Sequence, residues 1–283
     1  MAIFKAAVAQ MRSGTDVARN AADFEALVRE AAGRGADFVQ TPEMTGGLIR
    51  DKEAREIFTT ADKDPVVTAA RRLGAELGIH IHVGSTAIRR DDGKLANRAF
   101  LVGPDGSIIV TYDKIHMFDV DLDNGESWRE SSAYEPGTEA VVAHLPFASL
   151  GFAICYDLRF PQLFQSEALA GAEVLTVPAA FTRQTGQAHW HVLTRARAIE
   201  NGAFLVAAAQ GGRHEDGRET FGHSLIVDPW GRVLAEVDGD EPGVALAEID
   251  TAQVAAARAK IPNLRNARAF ARPGERQSRD AAE

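Results

Sequence analysis

Cysteine is nearly missing from the sequence, which has Cys155 as its single thiol among 283 residues. One thiol excludes a disulfide within the chain and suits a reducing cytoplasm, where we expect the protein to reside. Basic residues are also in the minority, with 31 lysines and arginines against 40 aspartates and glutamates. The resulting net charge of −9 argues against nucleic acid or an anionic membrane as a main partner, because both attract basic surfaces.

Long hydrophobic runs are missing as well. No apolar stretch is long enough to span a bilayer, so we expect no membrane segment. The segment from Met1 to Met11 has neither a long apolar region nor a small-residue cleavage site, so we also expect no signal peptide. The phosphate-binding run GxxxxGK[ST] is absent, and Gly33-Arg34-Gly35 lacks the third glycine and the preceding strand of a dinucleotide loop.

The hydrophobic pattern alternates short apolar runs with helical periods. The run from Ile3 to Gln10 predicts a buried strand, and apolar residues spaced three or four apart from Val17 to Ala31 predict a helix that ends at Gly33. The second half continues this style and adds a late hairpin turn at Asp228 to Gly231. Strands mixed with helices favour mixed sheets covered by helices, and the number of strands favours two stacked sheets.

The organisation of the chain is simple. No internal repeat, low-complexity tract or linker marks a boundary, so we predict one domain over residues 1–283. From about Arg265 the sequence is polar and charged. This composition predicts a tail that is either a mobile end or an arm that docks on a partner subunit.

Three chemically useful side chains share one kind of position. Glu43, Lys114 and Cys155 each follow a predicted strand at the point where it enters a loop. In α/β folds that edge of the sheet is where ligands bind. A thiolate is a nucleophile, a carboxylate can carry its proton to a leaving amine, and an ammonium can hold an oxyanion. A nearby lysine also favours the thiolate by charge, although from spacing alone two surface charges and a small core cysteine would be the better interpretation.

The sequence around these residues contains three motifs, which are Thr41-Pro42-Glu43, Tyr112 to Asp119, and Gly151 to Pro161. They occur in the same order as in the nitrilase superfamily of carbon–nitrogen hydrolases, which this chain resembles from about Phe4 to about Phe270. The resemblance implies a four-layer α-β-β-α sandwich of two stacked mixed sheets, a homodimer or higher homo-oligomer, and chemistry that needs neither metal nor organic cofactor. It also implies Glu43 as general base, Lys114 as oxyanion partner and Cys155 as nucleophile.

The superfamily has a second glutamate shortly after the lysine. Glu130 matches that motif best, while Glu126 and Glu135 are rivals in the same loop. The loop from Gly47 to Asp51 departs from the sequence pattern of the superfamily and cannot be matched to it. The outer rim of the cleft is therefore not assigned from sequence.

The second half contains the motifs Ala180-Phe181, Thr185-Gly186, Ala188-His189-Trp190, Arg195 to Glu200 and Phe221 to Ser224. These motifs resemble the deaminated glutathione amidase and omega-amidase branch. The resemblance implies an amidase for a small linear amide, with Arg159 on a substrate carboxylate, Phe181 and Thr185 lining the pocket, and the N–H of Tyr156 on the oxyanion. Arginine suits this role because its fork binds a carboxylate with two hydrogen bonds, although an ion pair with Asp157 is an alternative. The run Val206 to Gln210 favours deaminated glutathione over 2-oxoglutaramate, and another aliphatic amidase or nitrilase of the superfamily remains open.

Two alternative functions belong to other classes of protein. A Cys-His thiol hydrolase would use a base such as His116, His214 or His223, and a non-catalytic binding protein would lack a member of the Glu-Lys-Cys set. Metal binding is not predicted, because His80 and His82 have no third ligand at a matching spacing, and His189 and His191 point to opposite sides of a predicted helix.

Overall fold

A computed structural model describes residues 2–51, 53–121, 125, 127–271 and 273 of the chain. Six strands form the first sheet in the order β16-β1-β2-β3-β4-β5. Their bounds are β1 Ile3–Gln10, β2 Phe38–Gln40, β3 His80–Arg89, β4 Leu95–Val102, β5 Ile108–Asp113 and β16 Gly243–Asp250. The pairs β1–β2 and β2–β3 are parallel, whereas β16, β4 and β5 join their neighbours antiparallel. The first sheet is therefore mixed, as the sequence predicts.

Six further strands form the second sheet in the order β15-β14-β11-β10-β9-β8. Their bounds are β8 Val142–His144, β9 Ser149–Phe152, β10 Val174–Thr176, β11 Phe204–Ala207, β14 Leu225–Val227 and β15 Val233–Glu236. Its centre is parallel and its outer pairs are antiparallel. Two short ribbons stand apart from both sheets: β6 Asp119–Asp121 with β7 Ser127–Arg129, and β12 Gly211–Arg213 with β13 Glu219–Phe221.

Helices cover the outer faces of the two sheets. Their bounds are α1 Val17–Gly33, α2 Pro65–Leu77, α3 Pro161–Leu169, α4 Arg183–Asn201, α5 Ala252–Lys260 and α6 Asn263–Asn266, with 3₁₀ turns at Ala54–Ile57, Glu130–Ser132 and Cys155–Arg159. Asp16 caps the amino end of α1, and its carboxylate accepts from the N–H groups of Ala18 and Arg19. None of the helices among the described residues is both long enough and apolar enough to cross a membrane.

The core is divided into layers that confirm the four-layer α-β-β-α sandwich. Between the sheets, Val8 and Phe38 of the first pack in one cluster with Phe152 and Phe204 of the second. On the far side of the first sheet, a second cluster joins β1 and β2 to α1 and α2, with Phe24 at its centre. Apolar side chains of α3 and α4 pack on the far side of the second sheet.

The strands at the site end within two residues of the predicted ends, which are Thr41, Tyr112 and Ile154. β2 stops three residues before Glu43, β5 stops one residue before Lys114, and β9 stops three residues before Cys155. The predicted polar tail from about Arg265 lies largely outside the described residues, which include 265–271 and 273.

Candidate active site

The three predicted side chains meet in one buried cluster between the sheets. The ammonium of Lys114 donates to Oε1 of Glu43 at 2.9 Å. Glu43 is 5% exposed, Lys114 2% and Cys155 8%, and all three line one cavity of about 620 Å³. A cavity of this size fits a small organic ligand. Convergence of the strand ends therefore brings together side chains that are 71 and 41 residues apart in sequence.

The backbone at Cys155 has an uncommon conformation. Its φ of 51° lies in the left-handed region, which a residue with a side chain rarely adopts. Its N–H donates to the carbonyl of Pro178 at 2.9 Å, which ties this turn to the neighbouring segment after β10. Such local strain persists only where surrounding contacts enforce it, and it is concentrated at functional sites.

Asp157 holds the loop that carries the nucleophile. Its buried carboxylate accepts from the hydroxyl of Tyr112 at 2.7 Å, from the N–H of Ile154 at 2.9 Å and from the N–H of His116 at 2.9 Å. Its Oδ1 also lies 2.6 Å from Nδ1 of His116. Because the carboxylate of Asp157 already binds these groups, it does not form an ion pair with Arg159. The alternative interpretation of that arginine is therefore wrong.

Glu130 occupies the far side of Lys114. Its oxygens accept from the ammonium at 3.0 and 2.8 Å, and Oε2 also accepts from the N–H of Phe118 at 2.7 Å. Glu135, its rival, instead pairs with Lys94. The other rival, Glu126, lies outside the described residues. Among the two glutamates that can be compared, only Glu130 contacts Lys114.

Asn97 of β4 is a site residue that the sequence argument missed. Its Nδ2 donates to Glu43 at 2.9 Å and to Glu130 at 3.1 Å, so one amide bridges both carboxylates. Gln210 supports the same loop, because its Nε2 donates to the backbone carbonyl of Glu43 at 3.0 Å. A polar residue inside the apolar strand Leu95–Val102 was the available signal, since a buried polar side chain is more informative than a buried apolar one.

The ionisation of the cluster follows from its burial. Burial raises the pKa of the Cys155 thiol well above its usual range, the charge of Glu43 raises it further, and Lys114 lowers it by less. Burial lowers the pKa of the Lys114 ammonium, but the charges of Glu130 and Glu43 outweigh it and hold that pKa well above its usual value. The resting pair is therefore a neutral thiol beside an ammonium, and Lys114 lowers the pKa of the thiol by less than burial and Glu43 raise it.

The predicted substrate-binding residues line the same cavity. Tyr156, Arg159, Phe181 and Thr185 all contribute to its wall. The guanidinium of Arg159 lies 5.3 Å from the ring centre of Phe181 and 5.9 Å from that of Tyr156. The loop from Gly47 to Arg50, unassigned from sequence, also lines this cavity.

The histidines of the rival mechanism are engaged elsewhere. His116 pairs with Asp157 and stacks on Phe160, whereas Nδ1 of His214 lies 2.8 Å from the carbonyl of Ser13. Nδ1 of His223 lies 2.6 Å from Oε1 of Glu236. None of these three histidines hydrogen-bonds Cys155 within the described chain, so the geometry does not support a Cys-His pair.

One group of possible metal ligands escaped the sequence argument, which paired His191 with His189. His191, His223 and Glu236 have ligand atoms within 4.8 Å of one another, and both imidazoles already contact Oε1 of the carboxylate. Because the three residues come from α4, the loop before β14, and β15, no sequence spacing could have indicated them.

Comparison with known proteins finds relatives in both sequence and fold. A family profile described as carbon-nitrogen hydrolase matches residues 5–259. A deaminated glutathione amidase of Synechocystis is 38% identical over 271 residues, which cover 93% of this chain and 97% of that protein. An omega-amidase of Danio rerio is 34% identical over 265 residues, covering 93% and 94%. The crystal structure of the C. elegans NitFhit protein has a TM-score of 0.85 and 32% identity, covering 95% of this chain and 66% of that one.

Proposed function

This chain belongs to the carbon–nitrogen hydrolase family, and we propose that it hydrolyses a small linear amide through a thioester on Cys155. The observation that carries the proposal is the buried cluster in which Lys114 contacts Glu43 and Glu130 beside the thiol. It unites a nucleophile, a base and an oxyanion-binding cation in one cavity.

The acylation step begins with the neutral thiol. Glu43 takes the proton of the Cys155 thiol as the sulfur attacks the amide carbonyl carbon, and the carbonyl oxygen becomes an oxyanion. Lys114 and the N–H of Tyr156 stabilise that oxyanion. When the carbon–nitrogen bond breaks, Glu43 gives its proton to the departing amine, and a thioester remains on the sulfur.

Deacylation reverses the roles with water as the nucleophile. Glu43 takes a proton from water, whose oxygen attacks the thioester carbon, and Lys114 again faces the oxyanion. The carbon–sulfur bond then breaks, the carboxylic acid product forms, and the proton on Glu43 returns to the sulfur. Glu130 and Asn97 act as positioning residues, since they hold Lys114 and Glu43 without contacting the reacting atoms. No step requires a metal or an organic cofactor.

The substrate proposal rests on Arg159. Its guanidinium lines the cavity, has Nδ1 of His189 at 3.3 Å, and has no carboxylate within ion-pair distance in the described part of the chain. A small neutral amide would leave it without a counter-ion, whereas the carboxylate of a 2-oxo acid amide would pair with it. The amidase names of the relatives agree with such substrates, and we propose deaminated glutathione in preference to 2-oxoglutaramate.

A comparison of three substrates tests this proposal. The kcat/KM values are measured for deaminated glutathione, 2-oxoglutaramate and a neutral short amide, in the wild type and in Arg159→Ala. Loss of hydrogen bonds to a charged group costs about 1.5 to 3 kcal/mol, and we expect it to fall on the two carboxylate-bearing amides. Equal loss on all three, or a neutral amide as the best wild-type substrate, would contradict anion recognition. A preference for 2-oxoglutaramate would keep the chemistry and favour an omega-amidase.

We also propose that the protein forms a homodimer or a larger homo-oligomer in a reducing cytoplasm. On α4, Val192 is 67% exposed and Ile199 is 49% exposed, and Ile199 lies beside Gly231, next to the half-exposed Trp230. Such adjoining apolar side chains are typical of an interface. Light scattering of the protein as it elutes from a size-exclusion column should give a molar mass of at least twice the 30.4 kDa of one chain. A molar mass equal to that of one chain would contradict the proposal.

A further inference from the structure

The cavity that holds Cys155 contains more arginine than its carboxylates neutralise. Arg50, Arg55 and Arg159 line it, and each lies over an aromatic ring: Arg50 over Trp128 at 4.9 Å, Arg55 over Tyr134 at 5.8 Å and Arg159 over Phe181 at 5.3 Å. Within the described residues none of these three has a carboxylate at ion-pair distance. In a chain of net charge −9, such a group of arginines indicates a cavity built for anions.

Two of the cations that line the cavity share one ring. The guanidinium of Arg218 lies 5.0 Å from the centre of Trp128, close to the 4.9 Å of Arg50. Nε of Arg218 donates to Asp216 at 2.7 Å, which fixes that side chain, and its terminal nitrogens donate to no other residue that the structure describes. Arg50 is exposed, and stacking on the indole helps to hold its flexible side chain. A carboxylate placed at this ring could pair with Arg50 and with the terminal nitrogens of Arg218.

This pair lies at a different place on the cavity wall from Arg159. Tyr156, next to the nucleophile, contacts Phe118 edge-on with ring centres 5.2 Å apart. Phe118 in turn lies 6.3 Å from Trp128. Arg159 lies over Tyr156, at the inner end of this aromatic row, whereas Arg50 and Arg218 lie at its outer end. The cavity therefore has two cationic places, with Phe118 between them.

We propose that Arg50, Arg218 and Trp128 form an outer anion site that binds a carboxylate on the amine side of the scissile amide. The inference rests on the proposed function, in which Arg159 binds the carboxylate on the acyl side. The substrate already proposed, deaminated glutathione, has such a carboxylate at the end of its leaving dipeptide. A dipeptide in extended form reaches about 7 Å, which is longer than the 6.3 Å between the ring centres of Phe118 and Trp128.

Neutralising single arginines tests the outer site. The readout is the ratio of kcat/KM for deaminated glutathione, whose leaving dipeptide carries a carboxylate, to kcat/KM for 2-oxoglutaramate, which releases ammonia. Arg50→Gln and Arg218→Gln should each lower this ratio about tenfold, mainly through KM, since the contacted carboxylate takes no part in the reaction. Lys94→Gln is the matched control, because Lys94 is a cation of the same cavity that is not part of the proposed outer site. It should leave the ratio within twofold of the wild-type value.

A binding measurement separates this inference from the proposed function. The Kd of intact deaminated glutathione is measured for Cys155→Ala, with and without Arg50→Gln, at low and high salt. We expect about tenfold weaker binding without Arg50 and a smaller salt dependence. An unchanged Kd, or an equal loss of kcat/KM on both substrates in the turnover experiment, would overturn the outer site. Failure of the wild type to turn over either substrate would instead overturn the proposed function, and the Kd comparison would still decide the outer site.

Discussion

The ammonium of Lys114 donates a 2.9 Å hydrogen bond to the carboxylate of Glu43, so the proposed oxyanion partner contacts the proposed base. This contact allows one cation to stabilise the negative charge at both stages of the attack. Before attack the charge is on Glu43, and after Glu43 takes the thiol proton it is on the substrate oxygen. The site keeps the same total charge throughout, which avoids the large cost of creating a new buried charge.

Removing Lys114 should therefore cost activity directly. Lys114→Ala should lower kcat/KM by about 3 to 4 kcal/mol of transition-state stabilisation, the scale of one lost oxyanion donor. Lys114→Arg should restore little, because a planar guanidinium is a poor copy of a compact ammonium. Lys94→Ala serves as a control in the same cavity. Steady-state kinetics give the answer, and near-normal kcat/KM in either Lys114 variant would place this residue outside the reaction.

Glu130 and Glu135 form a matched pair for testing the second glutamate. Glu130→Gln removes the charge that faces Lys114 on its far side, so we expect kcat to fall at least tenfold with a smaller change in KM. Glu135→Gln breaks only an exposed contact with Lys94 and should remain within twofold of the wild type. Thermal unfolding of both variants checks that neither loss is a folding defect. Equal kinetics for the two variants would remove Glu130 from its proposed role.

The ionisation of Cys155 gives a pH-dependent prediction. Absorbance near 240 nm, after subtraction of the same titration of a matching Cys155→Ala protein, reports this thiolate alone, since the chain has no second cysteine and the subtraction removes the signal of its three tyrosines. Burial and the charge of Glu43 raise the pKa of the thiol, so Glu43→Gln should shift the absorbance rise to lower pH. Lys114→Ala removes a cation that lowers the same pKa and should shift the rise to higher pH. A rise at the same pH in the wild type and Glu43→Gln would show that the carboxylate does not act on the sulfur.

Much of the fold follows from local patterns, because they depend on neighbouring residues only. The strand Ile3–Gln10 and the helix Val17–Gly33 lie where apolar spacing and glycine predict them. The helix α4 begins at Arg183, six residues before the predicted His189, because the side chain of Thr182 caps it there. The amphipathic stripe alone did not reveal this polar first turn.

The site residues could be predicted only where a residue both followed a predicted strand and belonged to a recognisable motif. The strand ends predicted that Glu43, Lys114 and Cys155 would meet, and the structure places them together in one cavity. Asn97 and the arginines on Trp128 were not predicted, because their contacts join segments 33 to 90 residues apart through side-chain packing. The pKa of the thiol could not be predicted for a related reason. Burial is a property of the folded chain, and here it outweighs the pairwise charge of Lys114.

The thioester on Cys155 is the central claim, and the mass of the intact protein tests it most directly. Wild-type enzyme is mixed with a slowly hydrolysed amide, quenched in acid at short times and weighed. We expect each chain to gain the mass of one acyl group, which is the substrate without its leaving amine. This added mass should appear before product accumulates and disappear as substrate is consumed. Cys155→Ala should show neither the added mass nor turnover. An acyl adduct on Cys155→Ala, or amide hydrolysis by that variant, would contradict the account.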